Sequence, residues 1–75
     1  MGNRMSIVNH VPELADALGY SSAWKLWKDL LHQVMSQPTV YKLYNEPNRS
    51  KLGTAKLAAN LMGCKVDQFF DVVTE

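Results

Sequence analysis

Between Ser36 and Lys51 the chain reads SQPTVYKLYNEPNRSK. Gln37, Thr39, Tyr41, Lys42 and Asn45 are hydrogen-bonding or cationic, and Asn48, Arg49 and Lys51 follow within a few residues. Side chains of these types recognise rather than break bonds: they donate to base edges, phosphate oxygens or water. Glu46 is the only carboxylate in the stretch, so it is locally basic although the whole chain carries a net charge of +1. The acids gather elsewhere, as Glu13 and Asp16 near the start and Asp67, Asp71 and Glu75 near the end. So small a net charge excludes a nonspecific nucleic-acid coat and leaves a local basic face open. On composition alone, a polar helix followed by Arg and Lys is either an ordinary solvated face or a helix shaped to enter a DNA groove.

Other chemistries find little support. His10 and His32 are far apart, with no Cys or acid at ligand spacing, so neither a metal site nor another cofactor is expected. There is no nucleophile–base pair, phosphate-binding glycine loop or paired acid site, and 75 residues leave little room for a buried cleft. An enzyme is not expected. Cys64 is the only cysteine, which excludes an internal disulfide and reads as a small hydrophobe at a helix junction. A lone thiol and the lack of a secretory signal fit a cytoplasmic protein. No apolar run approaches the ~20 residues that span a membrane. The opening MGNRMS matches the short myristoylation pattern through Gly2 and Ser6, a match expected by chance, and Met5 serves equally as an internal start.

The elements that must position the polar stretch all read as helices. Residues 1–8 are expected to form a disordered N-terminal arm or an extra turn, and residues 9–75 one domain. A first helix is expected over Val11–Leu18, with Pro12 in its first turn and Gly19 as its stop. A second begins after Ser21 or Ser22 as cap and runs to about Met35, with Trp24, Trp27, Leu30, Leu31 and Val34 as its buried stripe. A third starts at Ser36 and ends at Asn45, with Pro38 in its first turn, Val40 and Leu43 inward and Tyr44 beside them. A fourth is expected with Ser50 as its cap and Gly63 as its end, burying Leu57, Ala58, Leu61 and Met62 with Ala55 at the edge. A fifth is expected over Val66–Val73, anchored by Phe69, Phe70 and Val73. Sustained period-two alternation is lacking, so the expected fold is all-α, a compact bundle of about five short helices.

The second and third expected helices are joined by almost nothing, which is the helix-turn-helix arrangement. At this point SQPTVYKLYNEPN and the later SKLGTAKLAANLMGCKVDQFF resemble the lambda-repressor/Cro-like, XRE-class helix-turn-helix domain. That family shows a Ser-capped recognition helix with apolar residues at its fifth and eighth positions, here Val40 and Leu43. A turn-rich loop follows, then a Leu-Ala helix, a Gly and an Asp-containing final helix, here Leu57–Ala58, Gly63 and Asp67. The resemblance covers roughly Trp24 to Phe70. The chain departs from the family before Ser36, where KLWKDLL stands in place of the usual Thr-Gln opening and no Gly marks the turn. LAANLMGC also carries one residue more than the usual spacing. A competing placement, similar to the AraC type, makes Glu13–Gly19 the first helix and Ser22–Leu30 the reader, at the expense of exposing Trp24 and Trp27.

The first resemblance implies a sequence-specific regulator of double-stranded DNA, repressor-like and of bacterial or phage type. Gln37, Pro38, Thr39 and Lys42 would face the major groove, with Gln37 on an adenine edge, Thr39 on a thymine methyl and Lys42 on guanine acceptors or a phosphate. Ser22, Lys25, Tyr41, Asn45, Asn48, Arg49 and Lys51 would hold the backbone. Two copies on a pseudo-palindromic operator are implied, with the terminal VDQFFDVVTE as the expected dimer surface. The alternative is a helical protein-interaction module, antitoxin-like or adaptor, that does not bind DNA specifically.

Overall fold

In the computed structural model the described residues run from Arg4 to Thr74, so Gly2 and the first part of the expected arm lie outside them. The order is β1 (Met5–Asn9), α1 (Val11–Ala17), α2 (Ala23–Asp29), α3 (Gln37–Asn45), α4 (Leu52–Met62) and β2 (Phe70–Thr74). Short 3₁₀ turns occupy Leu31–Gln33, Pro47–Arg49 and Val66–Gln68. The chain therefore folds as a helical body that carries a two-stranded antiparallel sheet, and the all-α expectation is corrected in that respect.

Local chemistry explains most of the helical boundaries. Pro12 occupies the first turn of α1, where its missing N–H breaks no hydrogen bond. Gly19 adopts φ +93°, a left-handed conformation that ends the helix, and its N–H donates back to the Asp16 carbonyl at 2.9 Å. Ser22 caps α2 by accepting the Lys25 N–H on its Oγ at 3.2 Å. Gly63, at φ +72°, closes α4 in the same left-handed way.

Val11 and Ala15 of α1, Leu26 of α2, Leu31 of the 3₁₀ turn that follows it, Val40 and Leu43 of α3, and Phe69 converge in a fully buried core. The indole N–H of Trp27 donates to the Met35 carbonyl at 3.1 Å and fixes the link between α2 and α3. That link is residues 30–36, including a 3₁₀ turn, so α2 stops at Asp29 rather than Met35. It is longer than the ~3–4-residue turn of a helix-turn-helix, and the expected tight junction is corrected accordingly.

Several side chains lie elsewhere than their size suggests. Trp24, expected in the core, is 44% exposed, with the Lys28 ammonium 4.7 Å from its ring centroid. Val34 and Leu18 are also exposed. On α4 the buried stripe is Ala55, Ala58, Ala59 and Met62, spaced i, i+3, i+4, i+7, while Leu57 and Leu61 face out.

The expected fifth helix gives way to the turn Val66–Gln68 and then to β2. Phe69 is buried and Phe70 packs on the core, as expected of them, but Val73 is exposed. Phe70, Val72, Val73 and Thr74 are β-branched or aromatic and fit a pleated strand better than a helix. Their partner is the segment expected to be an arm: Met5 pairs with Thr74, Ile7 with Val72 and Asn9 with Phe70. Residues 4–8 and 71–74 are all exposed, so the ribbon projects from the body. Its root is firm: Asn9 donates from Nδ2 to the Tyr44 carbonyl at 2.7 Å and accepts the Val11 N–H on Oδ1 at 2.9 Å. That amide thereby satisfies a carbonyl at the end of α3 and starts α1.

Candidate nucleic-acid interface

α3 matches the sequence expectation closely. It runs Gln37–Asn45 with Ser36 at its cap position, Pro38 in the first turn, and Val40 and Leu43 buried. Helical geometry then leaves Gln37, Pro38, Tyr41, Lys42 and Asn45 on one outward arc, with Thr39 at its edge. Ser36 does not cap through its side chain; its Oγ lies 2.8 Å from Thr39 Oγ1 instead. Gln37 Nε2 donates to Tyr41 Oη at 3.3 Å, and Asn45 Nδ2 donates to the Tyr41 carbonyl at 2.9 Å. The polar face is thus preordered along its length by bonds within α3.

The α3 edge bearing Thr39 and Lys42 meets the start of α4. The two form a cleft of about 200 Å³ lined by Thr39, Lys42, Ser50, Lys51 and Thr54. Two ammonium groups and three hydroxyls line it, and no carboxylate does. The start of α4 adds further donors. Lys51 and not the expected Ser50 takes its cap position, no side chain caps it, and the first intrahelical bond to be made there is Ala55 N–H to the Lys51 carbonyl. The preceding amides have no partner within the helix and carry the positive end of its dipole. Hydroxyl and ammonium donors around free helical amides make a chemical environment for a phosphate or another oxyanion.

The expected site residues therefore divide. Thr39, Lys42 and Lys51 come together in the cleft, and Gln37, Pro38, Tyr41 and Asn45 share the adjoining face of α3. Asn48 is exposed on the loop between α3 and α4. Arg49 is exposed too, but its guanidinium lies 3.2 Å from the Glu46 carboxylate, which partly neutralises it. Ser22 and Lys25 sit at the start of α2 and do not line the cleft. The Ser22 oxygen already serves as cap, leaving its hydroxyl proton as the available group. Ser50 and Thr54 are not among the site residues expected from sequence. The signal for Thr54 is its spacing: it lies three residues after Lys51, one turn into α4 and on the same side.

Elsewhere, two groups have shifted acidities. Hydrogen bonding to Asp71 raises the His10 pKa, against a smaller lowering by burial, and the Asp71 and Glu13 charges add to the rise. Burial raises the Cys64 pKa, which keeps the thiol protonated and poorly nucleophilic. No helix is long and apolar enough to cross a membrane among the described residues. Compared with protein-family models, curated proteins and solved structures, the chain matches none.

Proposed function

We propose that the protein binds double-stranded DNA as a sequence-specific, repressor-like regulator. In this reading α3 enters the major groove and the α3–α4 cleft seats a backbone phosphate. The observation that carries it is the cleft: Lys42 and Lys51 converge with three hydroxyls beside uncapped amides, free of any acid. Phosphate contacts position a protein on the duplex, and base contacts specify the sequence. The cleft would supply the first and Gln37 and Pro38 the second, with Thr39 and Lys42 at the border of the two, within reach of a phosphate or a base edge. Binding as a homodimer on a pseudo-palindrome would place two copies of α3 about 34 Å apart.

Fluorescence anisotropy with selected genomic duplexes tests the reading. Sequence-selective binding that weakens with salt is expected, and Lys42→Ala with Lys51→Ala should lower the affinity and flatten the salt dependence. Only weak binding, indifferent to sequence, would overturn the regulator assignment.

A second reading has its own support. Leu57 and Leu61 are exposed one turn apart on α4, and Trp24 is exposed on α2. These favour a protein-interaction module, and that module becomes the better description if Gln37→Ala and Lys42→Ala leave the phenotype unchanged.

A further inference from the structure

The geometry points to the outer edge of β1 as the seat of a second copy of this chain, joined as a four-stranded antiparallel sheet. This inference concerns association alone and does not depend on the DNA reading. Among the described residues the sheet holds β1 and β2, so each strand has one unpaired edge there. An isolated two-stranded ribbon is marginal in water, and further strands are what make such a sheet stable. Here Met5, Ile7, Val8, Val72 and Val73 all stand exposed on it.

The register identifies which backbone groups are free. The His10 N–H donates to the Phe69 carbonyl at 2.9 Å, while the Phe69 N–H turns to the Val66 carbonyl, and this single bond at the end of the ladder sets its phase. Alternation along an antiparallel ladder then turns the N–H and C=O of Ser6 and Val8 toward β2. Those of Met5 and Ile7 point the other way, toward the open edge. A twofold axis through Ile7 would pair Ile7 with Ile7 of the second copy, each donating to the other. Met5 would meet Asn9 of the second copy, and Ile7 and Val72 of both copies would share one face.

Two observations favour β1 over β2 and a second copy over another partner. β1 runs Met-Ser-Ile-Val-Asn, with no charge, proline or bulge to protect its edge. Self-pairing of β2 about Val72 would instead bring two copies of Asp71 into diagonal, repulsive proximity. Pairing of β1 about Ile7 also sets Arg4 opposite His10 of the second copy. The His10 ring already lies 2.8 Å from Asp71 and 3.6 Å from Glu13, so Arg4 arrives beside two carboxylates. The edge is complementary to itself in hydrogen bonding, in apolar surface and in charge. A strand pair this short falls at the small end of interface sizes, so a monomer–dimer equilibrium in the micromolar range is expected.

Sedimentation equilibrium of the full chain, without DNA, tests this. Ile7→Pro removes an N–H that points away from β2, so it should leave the ribbon intact and weaken association about tenfold or more. Val72→Pro removes the corresponding group on the β2 edge and should leave association unchanged. Arg4→Glu should weaken the dimer, and adding Glu13→Arg should restore it, a charge-reversal readout that stands even if the proline variant unfolds. A chain that stays monomeric to millimolar concentration overturns the proposal. So does a dimer that dissociates with Val72→Pro but not with Ile7→Pro, or one indifferent to the charge reversal.

Discussion

Lys42 and Lys51 stand beside hydroxyls on a face backed by buried Val40, Leu43 and Ala55, whereas Ile7 and Val72 stand beside each other with solvent around them. The two regions use the same chain in opposite ways. On α3 the apolar residues turn in, and the outer face is polar, basic and held by local bonds. On the ribbon the apolar residues are outside, and the backbone at the edge is unpaired. The contrast separates two kinds of surface. The α3–α4 cleft presents ammonium and hydroxyl donors, and the ribbon presents apolar surface and a strand edge. Acid placement agrees: Asp71 and Glu13 lie at the ribbon root, and the cleft has none.

Truncating each region would sharpen the contrast most directly. Leu43→Ala removes a fully buried side chain from beneath α3, and about 2–5 kcal/mol of stability should be lost in urea unfolding. Val72→Ala, on a side chain 49% exposed, should cost less than about 1 kcal/mol in the isolated monomer. Equal losses would mean that the ribbon is as much a part of the core as α3.

Asn9 joins the two regions, and its removal should cost an intermediate amount. Asn9→Ala strips a partner from the Tyr44 carbonyl and from the Val11 N–H, both part-buried bonds. A loss of about 1–3 kcal/mol is expected, with the ribbon amides exchanging hydrogen faster than those of α3. If the ribbon amides stay as protected as before, the ribbon root does not depend on Asn9.

Lys42→Ala with Lys51→Ala should change stability by no more than about 0.5 kcal/mol, since both side chains are exposed. The slope of log affinity against log salt should fall by ~0.9 for each phosphate contact removed. A change in stability without a change in slope would assign the lysines to the fold rather than to the interface.

The two regions also differ in how far their sequence announces them. α3 is legible because its signals are local: Ser36 and Pro38 open it, Val40 and Leu43 keep helical spacing, and Asn45 closes it. Gly19, Ser22 and Gly63 are legible for the same reason. The ribbon is not, because Ile7 and Val72 lie at opposite ends of the chain and each strand alone lacks clean alternation. Phe69 and Phe70 fit a helical anchor until Met5–Asn9 is present to pair with Phe70–Thr74. On α4, Leu57 and Leu61 mislead when large side chains are weighted first, because the buried stripe is Ala55, Ala58, Ala59 and Met62 instead. The cleft is half legible: Lys42 and Lys51 carry an obvious charge, while Ser50 and Thr54 acquire meaning only when α3 and α4 meet.

The smallest expected effect is a pH dependence confined to the ribbon root. His10 Nε2 lies 2.8 Å from Asp71 Oδ2, linking the start of α1 to β2, and this bond leads the causes that raise the His10 pKa. A raised pKa means that the folded protein binds the proton more tightly than the unfolded chain does. The stabilisation is therefore fully present below the unfolded histidine pKa of ~6.5, provided the pH stays above the carboxylate range. It disappears as pH rises through the higher folded value. His10→Gln should erase this dependence, so that wild type and variant melt alike at high pH and diverge as pH falls toward about five. Asp71 is exposed and His10 is half-buried, so the divergence should be small and should shrink in salt. Hydrogen exchange should report it first at β2 amides and hardly at all on α3, because only the ribbon is tied down by this pair. A melting difference that grows toward alkaline pH, or that appears equally on α3, would dissolve the distinction between a stable α3 face and a ribbon held at its root.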